Sequence, residues 1–185
     1  MDDRSLSKLL ALALRHHPER LGVELDHAGW VDVDELLAGL AGHGRPVTRA
    51  QLERVVARSD KQRFSLDPAT DRIRANQGHS VPVDLGLAPR EPPAVLFHGT
   101  AERSVEPIFS TGLNRRGRHA VHLSPDVATA RRVGSRRGPS VVLAVDAARM
   151  HEDGHTFAMS ANGVWLVDAV PPEYLSLSRP SATEP

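Results

Sequence analysis
The sequence predicts an α+β fold in two lobes joined by a linker, and three observations carry this. Residues 5–75 show three short helix patterns followed by a turn-centred pair of alternating strand patterns. Residues 81–93 hold four prolines and one glycine, the chemistry of a restricted connector. Beyond them, short apolar runs alternate with further helix patterns, as expected of a mostly β core with helices packed on it. A chain of 185 residues is long enough for one domain or two small ones.

The elements follow in order. Leu6, Leu9, Leu10, Ala13 and Leu14 recur at helical spacing behind Ser5, a capping residue. The pattern ends before Pro18 and Gly22, leaving Arg15 and His16 at the helix C-terminus. A second helix is expected from Asp32 or Asp34 through Leu36, Leu37 and Leu40, stopped by Gly42 and Gly44. A third opens at Thr48 with Gln51 in capping-box position and carries Leu52, Val55 and Val56 on one face. Lys61 to Leu66 and Arg72 to Ala75 then flank the turn-forming Asp67-Pro68-Ala69-Thr70-Asp71, which reads as a β-hairpin. Its period of two places Arg63 and Ser65 on one face and Phe64 and Leu66 on the other. Three short helices followed by a hairpin is the order of a winged-helix module.

After the linker, Val95-Leu96-Phe97 reads as a buried strand ending at His98-Gly99-Thr100, followed by a helix from Val105 to Ser110 with Gly112 past its end. A strand over Ala120 to Ser124, a helix over Asp126 to Val133, a strand over Ser140 to Val145 and apolar runs at Gly163 to Val167 and Val170 complete the second half. The expected boundaries are 1–80 for the first lobe, 81–93 for the linker, 94–176 for the second lobe and 177–185 for a disordered tail.

Composition removes several classes of chemistry. There is no cysteine, which excludes disulfide scaffolds, thiol nucleophiles and thiolate metal sites. No Gly-x-Ser-x-Gly elbow, P-loop or Gly-x-Gly-x-x-Gly turn is present. The His119/His122 and His151/His155 spacings have no third ligand nearby, and His119 and His122 are expected on opposite faces of a strand, so no metal is expected. No apolar run is long enough for a membrane span and no signal peptide is seen, so a soluble, cytoplasmic protein is expected. The mixed charge makes a monomer the expected state.

The charge is balanced at 23 basic and 23 acidic residues, yet the basic ones are 21 Arg and 2 Lys. Residues 101–140 hold 8 Arg against 3 acids, whereas 141–185 hold 2 against 6. Arginine is suited to bidentate capture of phosphate, so an Arg-rich block in a neutral chain points to a polyanion with a small footprint. Arg15-His16 at a helix end, Arg63 on the hairpin and Arg118 ahead of a strand are candidate contacts. His98-Gly99-Thr100 at a strand end is a candidate ligand site, with Gly99 admitting a ligand close to the backbone. Arg131, Arg132, Arg136 and Arg137 are either a solvated helix face or contacts to an RNA backbone.

These residues carry a resemblance. Leu14-Arg15-His16 with Pro18, Leu25-Asp26 with Gly29-Trp30-Val31, Ser59-Asp60-Lys61 with Arg63-Phe64, and Ile73-Arg74-Ala75 with Gln77-Gly78-His79-Ser80 resemble the RNA 2'-phosphotransferase family of the KptA type. So do Phe97-His98-Gly99-Thr100, Arg118-His119 with Val121-His122-Leu123-Ser124, and Asn162-Gly163-Val164-Trp165-Leu166. The resemblance implies a winged-helix RNA-binding lobe followed by an ADP-ribosyltransferase-like NAD-binding lobe. It implies removal of an internal RNA 2'-phosphate, of the tRNA splice-junction type, with NAD consumed as co-substrate. By the same resemblance Arg15, His16, Arg63 and Arg118 are the catalytic set, and His98, Gly99, Thr100, His122, Leu123 and Ser124 line the NAD pocket. The alternatives are an ADP-ribosyltransferase that modifies terminal phosphates of RNA or DNA without a second step, and a winged-helix regulator whose second domain senses a ligand.

Overall fold
The computed structural model describes residues 1–59, 61–135 and 138–178. The chain divides into two compact units, one made of residues 1–87 together with 117–119, the other of 88–116 and the chain from 120 on. The division at Leu87 and Ala88 falls inside the proline-rich stretch. That 117–119 belongs with the first unit has no counterpart in the sequence reading, because three residues carry no periodicity. Among the described residues no helix is long and apolar enough to cross a membrane.

In the first unit, α1 (Asp3–Arg15) buries Leu6, Leu10, Ala13 and Leu14. Its cap is Asp2 rather than Ser5: the Asp2 carboxylate accepts the Ser5 N–H at 3.0 Å, and a carboxylate there also meets the positive end of the helix dipole. A 3-10 turn at Pro18–Leu21 follows. Helix α2 (Val33–Gly42) is capped by Asp32, and α3 (Arg49–Ala57) by the complete Thr48/Gln51 capping box. Three strands, β1 (Trp30–Asp32), β2 (Phe64–Asp67) and β3 (Arg72–Ala75), form an antiparallel sheet in the order β1-β3-β2. The hairpin thus appears as expected, while β1 is an addition. Its three residues show no alternation, and it is set by its pairing with β3 and by the Asp26 side chain, which accepts the Ala28 and Trp30 N–H groups. Leu10, Leu14, Leu36, Leu40, Leu52 and Ile73 are wholly buried in one core.

The second unit begins with β4 (Val95–Ala101), α4 (Val105–Thr111), β5 (Leu113–Asn114), β6 (Val121–Leu123) and α5 (Val127–Gly134). It continues with β7 (Ser140–Asp146), α6 (Ala147–Glu152), β8 (Ala158–Met159), β9 (Trp165–Val167), β10 (Ala169–Val170) and β11 (Leu175–Leu177). The strands pair antiparallel in the orders β11-β7-β4, β6-β9-β8 and β10-β5. Phe97 and Ser124 exchange both backbone hydrogen bonds, at 2.9 and 2.8 Å, and so join the first two sheets. Leu96, Leu123, Leu143, Val145, Met150 and Phe157 are buried in the core of this unit.

Two expectations are corrected here. His98-Gly99-Thr100 lies inside the long strand β4 and not at its end, because pairing with β7 continues to Ala101. Of the expected tail 177–185, Leu177 closes β11, which pairs with β7, and Ser178 donates to the Val142 carbonyl at 2.9 Å, while 179–185 lie outside the described residues. Arg131 and Arg132 are exposed on α5, while Arg136 and Arg137 lie outside the described residues.

Candidate active site
In the first unit, Arg15 is the last residue of α1 and His16 its C-cap. The helix end is fixed from outside, since the Arg15 carbonyl accepts the N–H of Ser80 at 2.8 Å and of Val81 at 3.4 Å. The Arg15 guanidinium is largely buried, and among the described residues its Nε and Nη2 have no hydrogen-bond partner. Burial first, then the like charges of Arg63 and Arg118, push its pKa down to about 10. It therefore stays charged at neutral pH, and the charges that act on it, Arg63 and Arg118, repel it.

Three other arginines of this unit are paired with carboxylates. Arg49 pairs with Asp71 and Glu53, Arg54 with Asp3, and Arg72 with Asp26. An arginine held out of water among cations is costly unless an anion completes the site, and a phosphate dianion matches both the charge and the two open N–H groups. His16 lies in the same field: burial first, then Arg15, Arg118 and His17, hold its imidazole below the usual value. These neighbours favour its neutral form.

The rest of the set is placed by the chain after the hairpin. Arg63 directly precedes β2, and its carbonyl accepts the Asn76 N–H at 2.9 Å. Asn76 is buried; its Nδ2 donates to the Gln62 carbonyl at 2.6 Å and its Oδ1 accepts from Ser65 Oγ at 2.6 Å. It clamps Gln62, whose φ of 38° is unusual for a side-chain-bearing residue. Gly78 has a φ of 89°, and a Cβ there would stand 3.7 to 3.8 Å from the Arg15 guanidinium. His79 is wholly buried, its carbonyl accepts the His119 N–H at 3.1 Å, and the two rings meet edge to face at 5.8 Å. Arg118 is thereby held next to a fixed neighbour.

The structure thus brings Arg15, His16, Arg63 and Arg118 into one electrostatic cluster in the first unit. Arg118 belongs to that cluster through 117–119, and not through the strand β6 it precedes. The residues that set its geometry, Asn76, Gly78, His79 and Ser80, carry no role in the sequence reading. Gly78, His79 and Ser80 are signalled only by membership of a recognisable string and Asn76 by nothing, since each acts on a partner far away in the chain.

The second candidate group lies in the other unit. The His122 carbonyl accepts the Nδ1–H of His98 at 3.1 Å, which fixes the tautomer and orientation of that ring. Strand alternation puts His98 and Thr100 on the face that carries the buried Leu96, so this face turns from apolar to polar along β4. Ser124 is held to β4 through its bridge with Phe97. Leu123 is 1% exposed, and its side chain is part of the core.

Gly99 requires correction. A Cβ at this position would meet the Ala130 carbonyl oxygen at 1.7 Å and the Gly134 nitrogen at 2.9 Å. The close approach that glycine permits here is that of helix α5, and no ligand reaches the backbone from that side. His122 and His119, expected on opposite faces of one strand, instead belong to different units, His119 to the first and His122 to the second.

The sequence model of the family described as "RNA 2'-phosphotransferase, Tpt1 / KptA family" matches residues 1–169. A protein of Trichormus variabilis named "Probable RNA 2'-phosphotransferase" is 56% identical over 172 residues, 93% of this chain and 94% of its own length. One of Streptomyces griseus with the same name is 54% identical over 96% of this chain and 99% of its own length. One of Herpetosiphon aurantiacus, likewise so named, is 48% identical over 97% of this chain and its whole length. Likeness of this extent, across both units, places the chain in the RNA 2'-phosphotransferase family.

Proposed function
We propose that this chain is an NAD-dependent RNA 2'-phosphotransferase that removes an internal 2'-phosphate in two steps. In the first, a 2'-phosphate oxygen attacks C1'' of the nicotinamide ribose and nicotinamide leaves, giving a phospho-ADP-ribosylated RNA. In the second, the phosphoryl group passes to the ribose O2'', the O2'' proton is lost, and the RNA O2' gains a proton. The products are ADP-ribose 1'',2''-cyclic phosphate and an RNA 2'-hydroxyl.

The observation that carries this reading is the buried Arg15 guanidinium, with open N–H groups and Arg63 and Arg118 beside it. The departing nicotinamide is already cationic in NAD, so the chemistry asks chiefly for a dianion held in line and stabilised during phosphoryl transfer. Three guanidiniums supply this. His16 is the group of the set that titrates near neutrality, and we assign it the proton delivered to the RNA oxygen. Burial and the neighbouring cations lower its pKa, and a dianion held among those cations opposes that shift, which favours the charged ring that the role requires.

In this reading the first unit, three helices and a three-stranded sheet, is a winged-helix lobe, and the second is an ADP-ribosyltransferase-like lobe that holds NAD. The fit to a dinucleotide rests on the oriented His98 ring, with Thr100 on the same strand face and Ser124 bridged to it. These supply directed hydrogen-bond groups for ribose hydroxyls and phosphates. NAD is consumed, so it is a substrate and not a resident group.

The test is to incubate the protein with NAD and a short RNA bearing one internal 2'-phosphate, and to follow all products by mass spectrometry. ADP-ribose cyclic phosphate together with the dephosphorylated RNA is the expected result. RNA that halts at the ADP-ribosylated form favours a transferase lacking the second step, and no use of NAD overturns the proposal.

A further inference from the structure
His16 has a partner that the reaction scheme leaves without a role. Its Nδ1 and the Ser80 Oγ are hydrogen-bonded at 2.9 Å, across a separation of 64 residues. The same serine donates its backbone N–H to the Arg15 carbonyl at 2.8 Å. Ser80 therefore holds both the end of α1 and the ring that follows it. An imidazole used for proton transfer must offer one nitrogen to the reaction while the other is occupied, and the occupied nitrogen decides which tautomer is present.

We propose that Ser80 is the positioning residue for His16, its hydroxyl oxygen accepting the imidazole Nδ1–H so that Nε2 is the nitrogen that carries the proton in phosphoryl transfer. This rests on the two-step reading above for its catalytic half, though the ring contact itself does not. The choice of tautomer follows from the surroundings. Ser80 holds Nδ1, and the cations that act on the ring, Arg15 and Arg118, with His17 beside them, favour the form in which the nitrogen not held by Ser80 keeps its lone pair. When the phosphate dianion binds, Nε2 takes a proton from solvent and Nδ1–H remains on Ser80, so the ring becomes an imidazolium without turning. The acid is thus formed in place.

Ser80 is exposed, so Ser80→Ala removes the hydroxyl without opening a core cavity, and Ser80→Thr retains it. Two measurements decide the matter. In protein labelled with 15N-histidine, without NAD or RNA, His16 is identified by its loss in His16→Asn. Its nitrogens are expected to show the Nδ1–H tautomer in the natural protein and in Ser80→Thr, and an averaged pair of tautomers in Ser80→Ala. In rapid-quench experiments with NAD and 2'-phosphorylated RNA, Ser80→Ala is expected to slow decay of the ADP-ribosylated RNA by on the order of tenfold. Its formation rate and the KM for RNA stay unchanged, the pH profile of the decay shifts, and Ser80→Thr restores decay to within about twofold.

Unaltered tautomer signals in Ser80→Ala, an unaltered decay rate and pH profile, or a loss confined to RNA affinity each overturn the proposal. A natural protein that consumes no NAD overturns the functional reading instead. The labelled-histidine result then still decides whether Ser80 holds the ring.

Discussion
Removing the Arg15 guanidinium relieves like-charge repulsion and, on the proposed function, deletes a phosphate contact at once, so activity and stability are expected to move in opposite directions. Arg15→Ala should lower the rate of phosphoryl transfer by at least about 100-fold, with ADP-ribosylated RNA accumulating. Its unfolding free energy should be unchanged or higher by about 1 kcal/mol. If the variant accumulates no intermediate and only binds RNA more weakly, Arg15 is a binding contact alone. The same reasoning applies to anions free in solution. Pyrophosphate should raise the melting temperature of the natural protein through mass action, and the rise should be absent in Arg15→Ala. An equal rise in both proteins would mean that the anion acts elsewhere.

Among the elements, β4 depends most on what its neighbour lacks. Helix α5 lies so close to the strand that any side chain at Gly99 collides with the Ala130 carbonyl, a backbone atom that cannot swing aside. Gly99→Ala is expected to cost roughly 3 kcal/mol, read by urea denaturation, with weaker NAD binding because His98 and Thr100 share the displaced strand. A cost below about 0.5 kcal/mol would show that α5 moves freely. The same strand shows what the sequence reveals and what it hides. Helices with caps and apolar faces, such as α2 and α3, are written locally and were legible to within a residue or two. So was the hairpin, through Asp67-Pro68 and its alternating flanks. Strands of two or three residues, β1, β5, β10 and β11, have no period to read and exist because a distant partner supplies their hydrogen bonds. The cluster divides in the same way. Arg15, His16, Arg63 and Arg118 were legible from their strings, but the clamp of Asn76 on Gln62 and the Ser80 contact with His16 are properties of the folded chain. Gly99 was legible as important and misread as to cause, since sequence cannot say which of two backbones approaches a glycine.

For the whole molecule, the buried His79 ring ties stability to pH. Burial first, then His119, Arg15, His16 and Arg74, push its pKa down to about 4, against an ordinary value near 6.5. The folded state therefore binds the proton less well than the unfolded chain. Its contribution is complete above pH of about 6.5 and is lost as the pH falls toward 4, by roughly 3 kcal/mol in all. His79→Leu should flatten the loss of stability across that window. Among the described residues neither ring nitrogen has a hydrogen-bond partner, so the substitution should cost little at pH 7. An unchanged pH dependence in the variant would assign the effect to other groups. His79 also bears on how such proteins can be recombined. It receives the backbone of His119, and residues 117–119 belong to the first unit although the chain on both sides of them belongs to the second. A chimera of this chain and a relative spliced at position 87 would give the first unit a foreign 117–119 segment. The inheritable piece of this chain is therefore discontinuous, and hybrids that keep 1–87 and 117–119 from one parent should retain phosphate chemistry that hybrids cut only at 87 lose.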